Sequence, residues 1–395
     1  MKKIAILLLT LSITSIVMGQ SNATGYVFAD GNKNGKKDRG ENGIAGVGVS
    51  NGREVTTTDA TGKYSLPVGN DNIIFVIKPS GYDLPVTEKQ LPLFYYIHKP
   101  GGSPSNTKYK GVAPTGTLPK SIDFALLPAA ETKAFTTLIF GDPQPYTAEE
   151  VAYYAKGVVA EVAGIKNVAF GMSLGDLVGD SLDLHNPYID ATKAVGIPWF
   201  NVMGNHDMNY EAKADSLSDE TFESNFGPAN YSFNYGDVHF IVLDNIYYPD
   251  PRDGKSYWGG FREDQLQFVE NDLKLVPKDK LVVVSFHIPL KDDSGEAFNL
   301  EHRQRLFNAL KDFEHTLSLS AHTHLQRNDF FTAKQGWLRA KPHHEYNAGT
   351  TSGDWYSGAF DEKGVPVSTM RDGTPKGYAF IHFIGNSYSI DYKVV

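Results

Sequence analysis

Cysteine is absent from this chain of 395 residues. Its absence excludes disulfide bonds, and it also excludes a lipid anchor on a cysteine at a cleavage site. Positive charge is scarce as well, because 37 lysines and arginines face 46 aspartates and glutamates, a net charge of −9. The chain therefore lacks the broad basic surface of a nucleic-acid-binding protein, and an anionic substrate would need a local positive group such as a metal. No sequence feature predicts an oligomeric state.

Long hydrophobic runs are missing beyond the N-terminus. Residues 1–19 (MKKIAILLLTLSITSIVMG) combine two lysines, an apolar run and small residues near Gly19, which is the pattern of a secretory signal peptide. The alternative is a membrane anchor, but the run is short, and no later segment approaches the length that spans a bilayer. We therefore predict a cleaved signal peptide at 1–19 and a mature protein that is periplasmic, secreted or on the cell surface, without a membrane span.

The remaining length suggests two or three domains. Residues 20–128 contain short, alternating apolar segments between clusters of glycine, asparagine, aspartate and proline. This pattern predicts an N-terminal all-β sandwich domain. Residues 128–133 (PAAETK) are predicted to be a linker.

Residues 134–333 have a different pattern, in which apolar runs alternate with amphipathic, helix-like stretches. Strands that alternate with helices predict an α/β layered fold, and such folds bind ligands where their strands end. From residue 334 to 395 the sequence returns to β-like segments rich in glycine and aromatic residues. We predict a small C-terminal β-rich domain there, packed against the α/β domain.

Polar side chains suited to metal binding follow several of these apolar runs. A single aspartate of this kind is more often a helix cap, and a single histidine is more often an ordinary polar residue. Their order and their shared position at strand ends together indicate a metal centre. The candidates are Asp142 and Gln144 in GDPQ, Asp176 in SLGDLVGD, Asn205, His206 and Asp207 in MGNHD, His287 in SFHIP, and His322 and His324 in SAHTH.

This order of motifs resembles the blocks DxH, GDxxD, GNH[DE], H and GHxH of the calcineurin-like metallophosphoesterase superfamily. The resemblance covers Thr136 to Leu325 and is most specific at the GD, GNHD and HTH motifs. It implies an α/β fold, a calcineurin-like two-sheet sandwich flanked by helices. With its flanking β regions, the whole chain is similar to the three-part, exported bacterial phosphoesterases of this superfamily.

The resemblance implies two divalent metal ions, which are manganese, iron, zinc or magnesium. Two carboxylates against two dications leave a net charge of about +2, which attracts a phosphate ester. The implied activity is hydrolysis of phosphate esters through attack by a metal-bridging hydroxide, and the lack of a cationic cluster near the motifs slightly favours diesters. The first metal would be held by Asp142, Gln144, Asp176 and His324, and the second by Asp176 as a bridge, Asn205, His287 and His322.

Two residues of the GNHD motif would act beside the metals. His206 would donate a hydrogen bond to a phosphoryl oxygen or protonate the leaving group. Asp207 would orient this catalytic region, or it is simply a helix cap. The alternative to an enzyme is a catalytically inactive calcineurin-like surface protein that binds glycan or protein. The enzyme is favoured because a decaying site would have lost several of these residues.

Some positions depart from the family pattern. Gln144 stands where the family has a histidine, and its amide oxygen is a weaker and harder donor than imidazole. We therefore expect Gln144 to bind the first metal and to shift its preference towards manganese or magnesium, or else to lie beside the ligands without binding. Gly179 replaces the tyrosine of purple acid phosphatases, which argues against an iron–tyrosinate centre. Asp180 lies one position past the family's second aspartate, in the loop or close to the ligands.

The flanking regions contain two further candidate sites. The segment DGNKNGKKDRGE fits an EF-hand-type calcium loop without flanking helices, and the alternative is a polar turn with no ion. Near the C-terminus, Trp355, Tyr356 and Asp372 are candidates for the wall of a substrate pocket, unless the aromatic residues only fill a small core. The candidate ligands of one structural calcium ion are Asp30, Asn32, Asn34, the Lys36 carbonyl, Asp38 and Glu41.

Overall fold

A computed structural model of the protein describes residues 21–291 and 298–395. The predicted signal peptide at 1–19 lies outside the described residues. Within the described ranges, no helix has both the length and the apolar character needed to cross a bilayer.

The N-terminal region is an all-β sandwich, as its alternating pattern predicted. It contains β1 (Ser21–Ala29), β2 (Gly48–Ser50), β3 (Val55–Thr57), β4 (Lys63–Val68), β5 (Asn72–Ile77), β6 (Tyr82–Asp83), β7 (Tyr95–His98) and β8 (Phe124–Pro128). These strands form two four-stranded sheets, in the orders β4-β1-β8-β6 and β3-β2-β5-β7. Alternate apolar side chains such as Val27, Leu66 and Phe75 are buried and supply the core of this region.

Two larger sheets form the α/β region, and the predicted two-sheet architecture is confirmed. Their strands, with the small hairpin β14-β15, are β9 (Ala134–Phe140), β10 (Phe170–Leu174), β11 (Trp199–Val202), β12 (Tyr231–Tyr235), β13 (Val238–Val242), β14 (Ile246–Tyr247), β15 (Trp258–Gly259), β16 (Leu281–Ser285), β17 (His315–Ser320), β18 (Arg327–Phe331), β19 (His343–Asn347), β20 (Gly377–Ile384) and β21 (Ser387–Val394). One sheet has the order β11-β10-β9-β20-β21, and the other has the order β12-β13-β16-β17-β19-β18. Every residue of β10 and β16 is buried, as expected for strands that are covered on both faces.

Helices connect these strands, and α1 and α6 begin at side-chain caps. They are α1 (Ala148–Tyr154), which continues through a π-helical turn (Ala155–Val159) into α2 (Ala160–Val162), then α3 (His185–Thr192), α4 (Glu220–Phe226), α5 (Glu263–Asp272) and α6 (Leu300–Leu310). Thr147 accepts a hydrogen bond from the backbone N–H of Glu150, and the Glu150 side chain bonds back to the cap. This cap lies three residues after Gln144, where the GDPQPY loop ends and α1 begins.

The C-terminal region is β-rich, and its strands extend both large sheets. Strand β19 pairs parallel to β17, and β20 pairs antiparallel to β9. Because β9 leads into the loop that carries Asp142, the C-terminal hairpin supports that loop from one side. The predicted domain boundaries near residues 128 and 334 stay predictions.

The candidate ligands gather where parallel strands end. Strands β9, β10 and β11 run parallel in one sheet, and β13, β16 and β17 run parallel in the other. Asp142, Asp176 and Asn205 follow the first three strands, whereas His287 and His322 follow β16 and β17. The carboxyl ends of the two sheets therefore form one edge, which is where α/β folds place their ligands.

Candidate metal centre

The predicted ligands leave their strands through backbone turns in the left-handed region. Asp142, Gln144, Asp176, His322 and His324 have φ angles of 37°, 41°, 48°, 70° and 52°. Residues with a Cβ atom rarely adopt such angles, and each costs on the order of 1–3 kcal/mol. Strain of this kind persists where the surrounding structure enforces it, and here it is concentrated on residues predicted to bind metal.

Two glycines allow the ligand loops to approach one another. A Cβ atom on Gly204 would lie 2.0 Å from the backbone nitrogen of Asp176. A Cβ atom on Gly175, whose φ is 94°, would lie 2.5 Å from Nδ1 of His287. Both distances are too short for any side chain, so the glycines of the GD and GNHD motifs make this close approach possible.

Three predicted ligand atoms surround Nε2 of His287 at the second metal position. This nitrogen lies 3.1 Å from Oδ1 of Asn205, 3.2 Å from Oδ2 of Asp176 and 3.2 Å from Nδ1 of His322. The other ring nitrogen, Nδ1 of His287, donates a hydrogen bond to the carbonyl oxygen of Leu174 at 2.8 Å. In the neutral ring, Nε2 therefore carries the lone pair and directs it into the cluster, as a metal ligand must.

The predicted ligands of the first metal are also brought together, but less tightly. Nε2 of His324 lies 4.0 Å from Oδ1 of Asp142, and Nε2 of Gln144 lies 3.3 Å from Oδ2 of Asp176. Oδ1 of Asp142 lies 4.0 Å from Nε2 of His287, which belongs to the second set. The two sets therefore adjoin, and Asp176 lies between them as the predicted bridge.

An unpartnered oxygen lies at the first position. Oε1 of Gln144 is buried and has no hydrogen-bond partner among the described residues. Leaving a buried amide oxygen unpaired is costly, about 1–3 kcal/mol. If the amide is turned so that this oxygen takes the place of Nε2 beside Asp176, a divalent cation held by it and by the two aspartates would satisfy it, so the residues present fit a metal ion here.

Acids and imidazoles compete for protons in this buried centre. Burial raises the pKa of Asp142 to about 8. Burial alone would lower the pKa of His287, but the charge of Asp176 raises it to about 9. Burial and the charge of His287 lower the pKa of His322 to about 3. Divalent cations would replace the shared protons as counter-charge, so metal binding should release protons.

His206 lies beside the ligands and pairs with Asp180, which the sequence places in the loop or close to the ligands. Nδ1 of His206 lies 2.7 Å from Oδ1 of Asp180, and its backbone N–H donates to Oδ1 of Asp176 at 2.9 Å. Burial alone would lower the pKa of His206, but the charges of Asp176 and Asp180 raise it to about 9. Metal ions bound to Asp176 would cancel the part of this pKa rise that comes from Asp176. The part that comes from Asp180 would remain. The only sequence signal for Asp180 is that it lies one position past the second aspartate of the family motif.

Asp207, predicted to orient the catalytic region or to cap a helix, bonds to the protein behind the centre. Its carboxylate accepts hydrogen bonds from the backbone N–H groups of Leu177, Val178 and Gly204 at 3.1, 3.2 and 2.9 Å. It also lies 3.1 Å from Nε2 of His185 and is fully buried. Asp207 therefore holds the loop after β10 against the GNHD turn, and it orients this region without facing a substrate.

Two of the three predicted pocket residues, Tyr356 and Asp372, stabilise loops of the protein. Tyr356 is buried, and its hydroxyl donates to the carbonyl oxygen of Pro143 at 2.5 Å. Asp372 accepts a hydrogen bond from the backbone N–H of Thr374 at 2.9 Å in an exposed turn. Tyr356 therefore positions the GDPQPY loop from behind, and Asp372 stabilises a turn.

Trp355 does lie at the opening of the centre, together with three tyrosines that no sequence motif indicated. We call Tyr146, Tyr210, Tyr257 and Trp355 the aromatic rim. Each of them is partly or largely exposed and contacts a different residue of the centre. The contacts are Tyr146 with His206 at 5.8 Å between ring centroids, Tyr257 with His322 at 6.1 Å and Trp355 with His324 at 4.8 Å. Burial raises the pKa of Tyr210, and the nearby Asn205 side chain opposes this shift.

The predicted calcium loop is a compact turn whose polar groups bond to one another. The Asp30 carboxylate accepts hydrogen bonds from three backbone N–H groups of the loop, at 2.7, 3.3 and 2.8 Å. Asp38 accepts from the side-chain amides of two asparagines at 2.9 and 2.7 Å, and Glu41 accepts from two backbone N–H groups at 3.1 and 2.9 Å. Gly35 has the positive φ, 72°, that the turn requires. The calcium ion itself stays a prediction.

Known proteins resemble the chain over different lengths. A stretch of 65 residues is 43% identical to Colossin-A of Dictyostelium discoideum, which is 16% of this chain and spans only 1% of that protein. Among solved structures, a dimetal phosphatase from Danio rerio is 13% identical, with a TM-score of 0.43, over 66% of this chain and 96% of its own. GAP50, described as the anchor in the inner membrane complex of Plasmodium, is 16% identical, with a TM-score of 0.39, over 66% and 84%.

Three family models match successive parts of the chain. The N terminal of calcineurin-like phosphoesterase matches residues 31–113, calcineurin-like phosphoesterase itself matches residues 135–326, and the C terminal of calcineurin-like phosphoesterase matches residues 345–395. Together they account for most of the sequence, and the middle match contains every predicted metal ligand. The chain therefore belongs to the calcineurin-like phosphoesterases, hydrolases of phosphoester bonds that work with divalent metal ions.

Proposed function

We propose that this protein is an exported phosphodiesterase with a binuclear metal centre. The observation that carries the proposal is the convergence of Asp176, Asn205 and His322 on Nε2 of His287, within 3.2 Å. A second ligand set around Asp142 adjoins this one and shares Asp176. Two adjoining sets with a common carboxylate favour two metal ions over one.

The residues of the chain would bind, orient and protonate the substrate. Bound metal ions would supply positive charge for the phosphate and lower the pKa of a water molecule. His206 would donate a proton to the leaving-group oxygen. Because Nδ1 of His206 is engaged by Asp180, Nε2 is the atom left to meet the substrate. The strained backbone at the ligands favours an active enzyme over an inactive binding protein, since strain is retained at functional sites.

The surroundings of the centre favour a diester over a monoester. A monoester carries a second negative charge, which needs a further cation. Arg371 acts electrostatically on His324, but its Nε lies 3.5 Å from Oδ1 of Asp354, so its charge is already paired. The aromatic rim instead offers apolar faces to the two organic arms of a diester.

Three finer points belong to the same proposal. Manganese suits the first position because Gln144 offers a neutral oxygen donor. One structural calcium ion would occupy the loop from Asp30 to Glu41 and raise the unfolding temperature of the protein when added. Residues 1–19 would direct export and be removed, which N-terminal sequencing of the mature protein tests.

Metal analysis followed by paired hydrolysis assays tests the proposal. The purified protein, loaded with manganese, zinc or magnesium, is assayed with bis(p-nitrophenyl) phosphate and p-nitrophenyl phosphate, which share a leaving group. We expect two metal ions per chain and a higher kcat/KM for the diester. A single ion per chain would contradict the binuclear centre, and a higher kcat/KM for the monoester would contradict the diester preference. No bound metal and no turnover with any metal would support the inactive binding protein.

A further inference from the structure

Nδ1 of His324 faces a carboxylate behind the first metal position. Nδ1 of His324 and Oδ1 of Asp354 are 3.7 Å apart, and neither forms a hydrogen bond among the described residues. Oδ1 of Asp354 also lies 3.5 Å from Nε of Arg371, so the unpaired atom is the nitrogen of His324, a residue that is 2% exposed. Leaving a buried polar atom unpaired is costly, which indicates that Nδ1 serves a state in which it is engaged.

We propose that Asp354 is a positioning residue for the first metal: it accepts the Nδ1 proton of His324 and thereby directs the Nε2 lone pair of that ring towards the metal. The proposal rests on the binuclear centre proposed above. A carboxylate that holds the far nitrogen of a metal-binding imidazole fixes its tautomer and orientation and makes it a stronger ligand. The present separation exceeds a hydrogen bond, so a small rotation of the ring must accompany metal binding.

The surroundings of Asp354 hold it in place for this role. Its backbone N–H donates to Oγ of Ser368 at 2.9 Å and to the carbonyl oxygen of Thr369 at 2.9 Å. The next residue, Trp355, has a φ of 54° and places its ring against His324, with centroids 4.8 Å apart. The backbone and the neighbouring ring therefore keep the carboxylate and the imidazole on the same side of the centre.

The first position needs such a partner more than the second does. At the second position, Nδ1 of His287 already donates to the carbonyl oxygen of Leu174 at 2.8 Å. At the first position, Gln144 supplies a neutral amide where an imidazole would bind more strongly. A negatively charged partner on His324 would compensate in part for this weaker donor, and Arg371, 3.5 Å from the same carboxylate oxygen, would moderate its charge.

One competing acceptor has to be separated from Asp354. Burial lowers the pKa of His324, and the nearby carbonyl oxygen of Gly353 opposes this shift, although Nδ1 forms no hydrogen bond of good geometry with it. If that carbonyl alone orients the ring, the Asp354 carboxylate is dispensable. The two possibilities differ in their dependence on side-chain charge, because a backbone carbonyl is unaffected by substitution of the Asp354 side chain.

Calorimetric titration of the metal-free, full-length protein with manganese distinguishes these possibilities. We expect Asp354→Ala to weaken the first binding position by about 10- to 100-fold and Asp354→Asn to weaken it less, because the amide oxygen still accepts the proton. The second position should be unchanged, which also shows that each variant is folded. Asp361→Asn, the same chemical change in an exposed turn of the C-terminal region, is the matched control and should bind like the wild type.

The outcomes separate this inference from the function on which it rests. If both Asp354 variants bind manganese as the wild type does, the Gly353 carbonyl is sufficient and the role of Asp354 is overturned. If both positions weaken equally, Asp354 supports the fold and not His324, and the inference is again overturned. A wild-type protein that binds a single ion or none would refute the binuclear centre itself.

Discussion

The two metal positions use similar ligands but are built differently. At the second position, three ligand atoms lie within 3.2 Å of Nε2 of His287, and the ring is anchored through its other nitrogen. At the first position, Nε2 of His324 is 4.0 Å from Asp142, and the oxygen of Gln144 has no partner among the described residues. The ligand atoms of the second position therefore lie closer together than those of the first.

The difference follows from what supports each position. The second is held by loops that leave β10, β11, β16 and β17. The first is braced from the C-terminal region, because Oγ of Ser352 donates to the carbonyl oxygen of Asp142 at 2.8 Å and the Tyr356 hydroxyl donates to that of Pro143. Because the first position is supported by a separate segment of the chain, its metal affinity can change with little effect on the second position.

Asp176→Asn should have the largest effect, because it breaks both positions at once. It removes the shared carboxylate and the negative charge that reduces the repulsion between two cations. We expect loss of both metal ions by elemental analysis and a fall in kcat/KM of at least about 10³-fold. Asp183→Asn, the same change at an exposed site in the following segment, should retain metals and activity. Two ions retained by Asp176→Asn would show that Asp176 is not the bridge.

His206→Gln should leave both positions filled and still reduce turnover, which separates metal binding from proton donation. We expect two metal ions per chain and a loss of about 10²-fold in kcat. The loss should be greater for an alkyl leaving group than for p-nitrophenol, because the poorer leaving group needs the proton more. Asp180→Asn should give the same pattern with a smaller loss, and His315→Gln, at the start of β17, should behave as the wild type. Equal losses for both leaving groups would refute proton donation.

The ligand set could be predicted from sequence because each motif directly follows a strand. Strand direction alone brings such residues to one edge of the sheets. The Asp180–His206 pair could not be predicted in this way, because it depends on the φ of 61° at Asp180, which turns that side chain back towards the GNHD loop. Local spacing carries no information about such a turn.

The alternatives that the sequence left open also depend on contacts between segments far apart in sequence. From sequence, the Asp207 side chain could face either the substrate or the protein. It faces the protein because N–H groups of a separate loop donate hydrogen bonds to its carboxylate. Trp355 and Tyr356 are adjacent and have φ angles of 54° and 50°, yet one lies at the opening and the other is buried. Composition predicted an aromatic wall, but only the folded chain distinguishes the residue that meets solvent from the one that braces the GDPQPY loop.

Gln144→His should have the smallest effect. It should make the ligands of the first position more similar to those of the second. It replaces a neutral oxygen donor with imidazole, which zinc binds more strongly. The φ of 41° lies in a region that histidine tolerates better than most residues. We expect zinc affinity at the first position to rise roughly tenfold, with the second unchanged, in a calorimetric titration that resolves both steps.

Gln90→His is a matched control, because Gln90 also has a positive φ, 65°, and lies in the N-terminal β-sandwich. A rise in zinc affinity confined to Gln144→His would show that the unpartnered Oε1 of Gln144 occupies a ligand position in the native protein. Unchanged affinity would place Gln144 beside the ligands without binding. The wider spacing of ligand atoms at the first position would then arise from the contact between Tyr356 and Pro143, and not from the chemistry of one ligand.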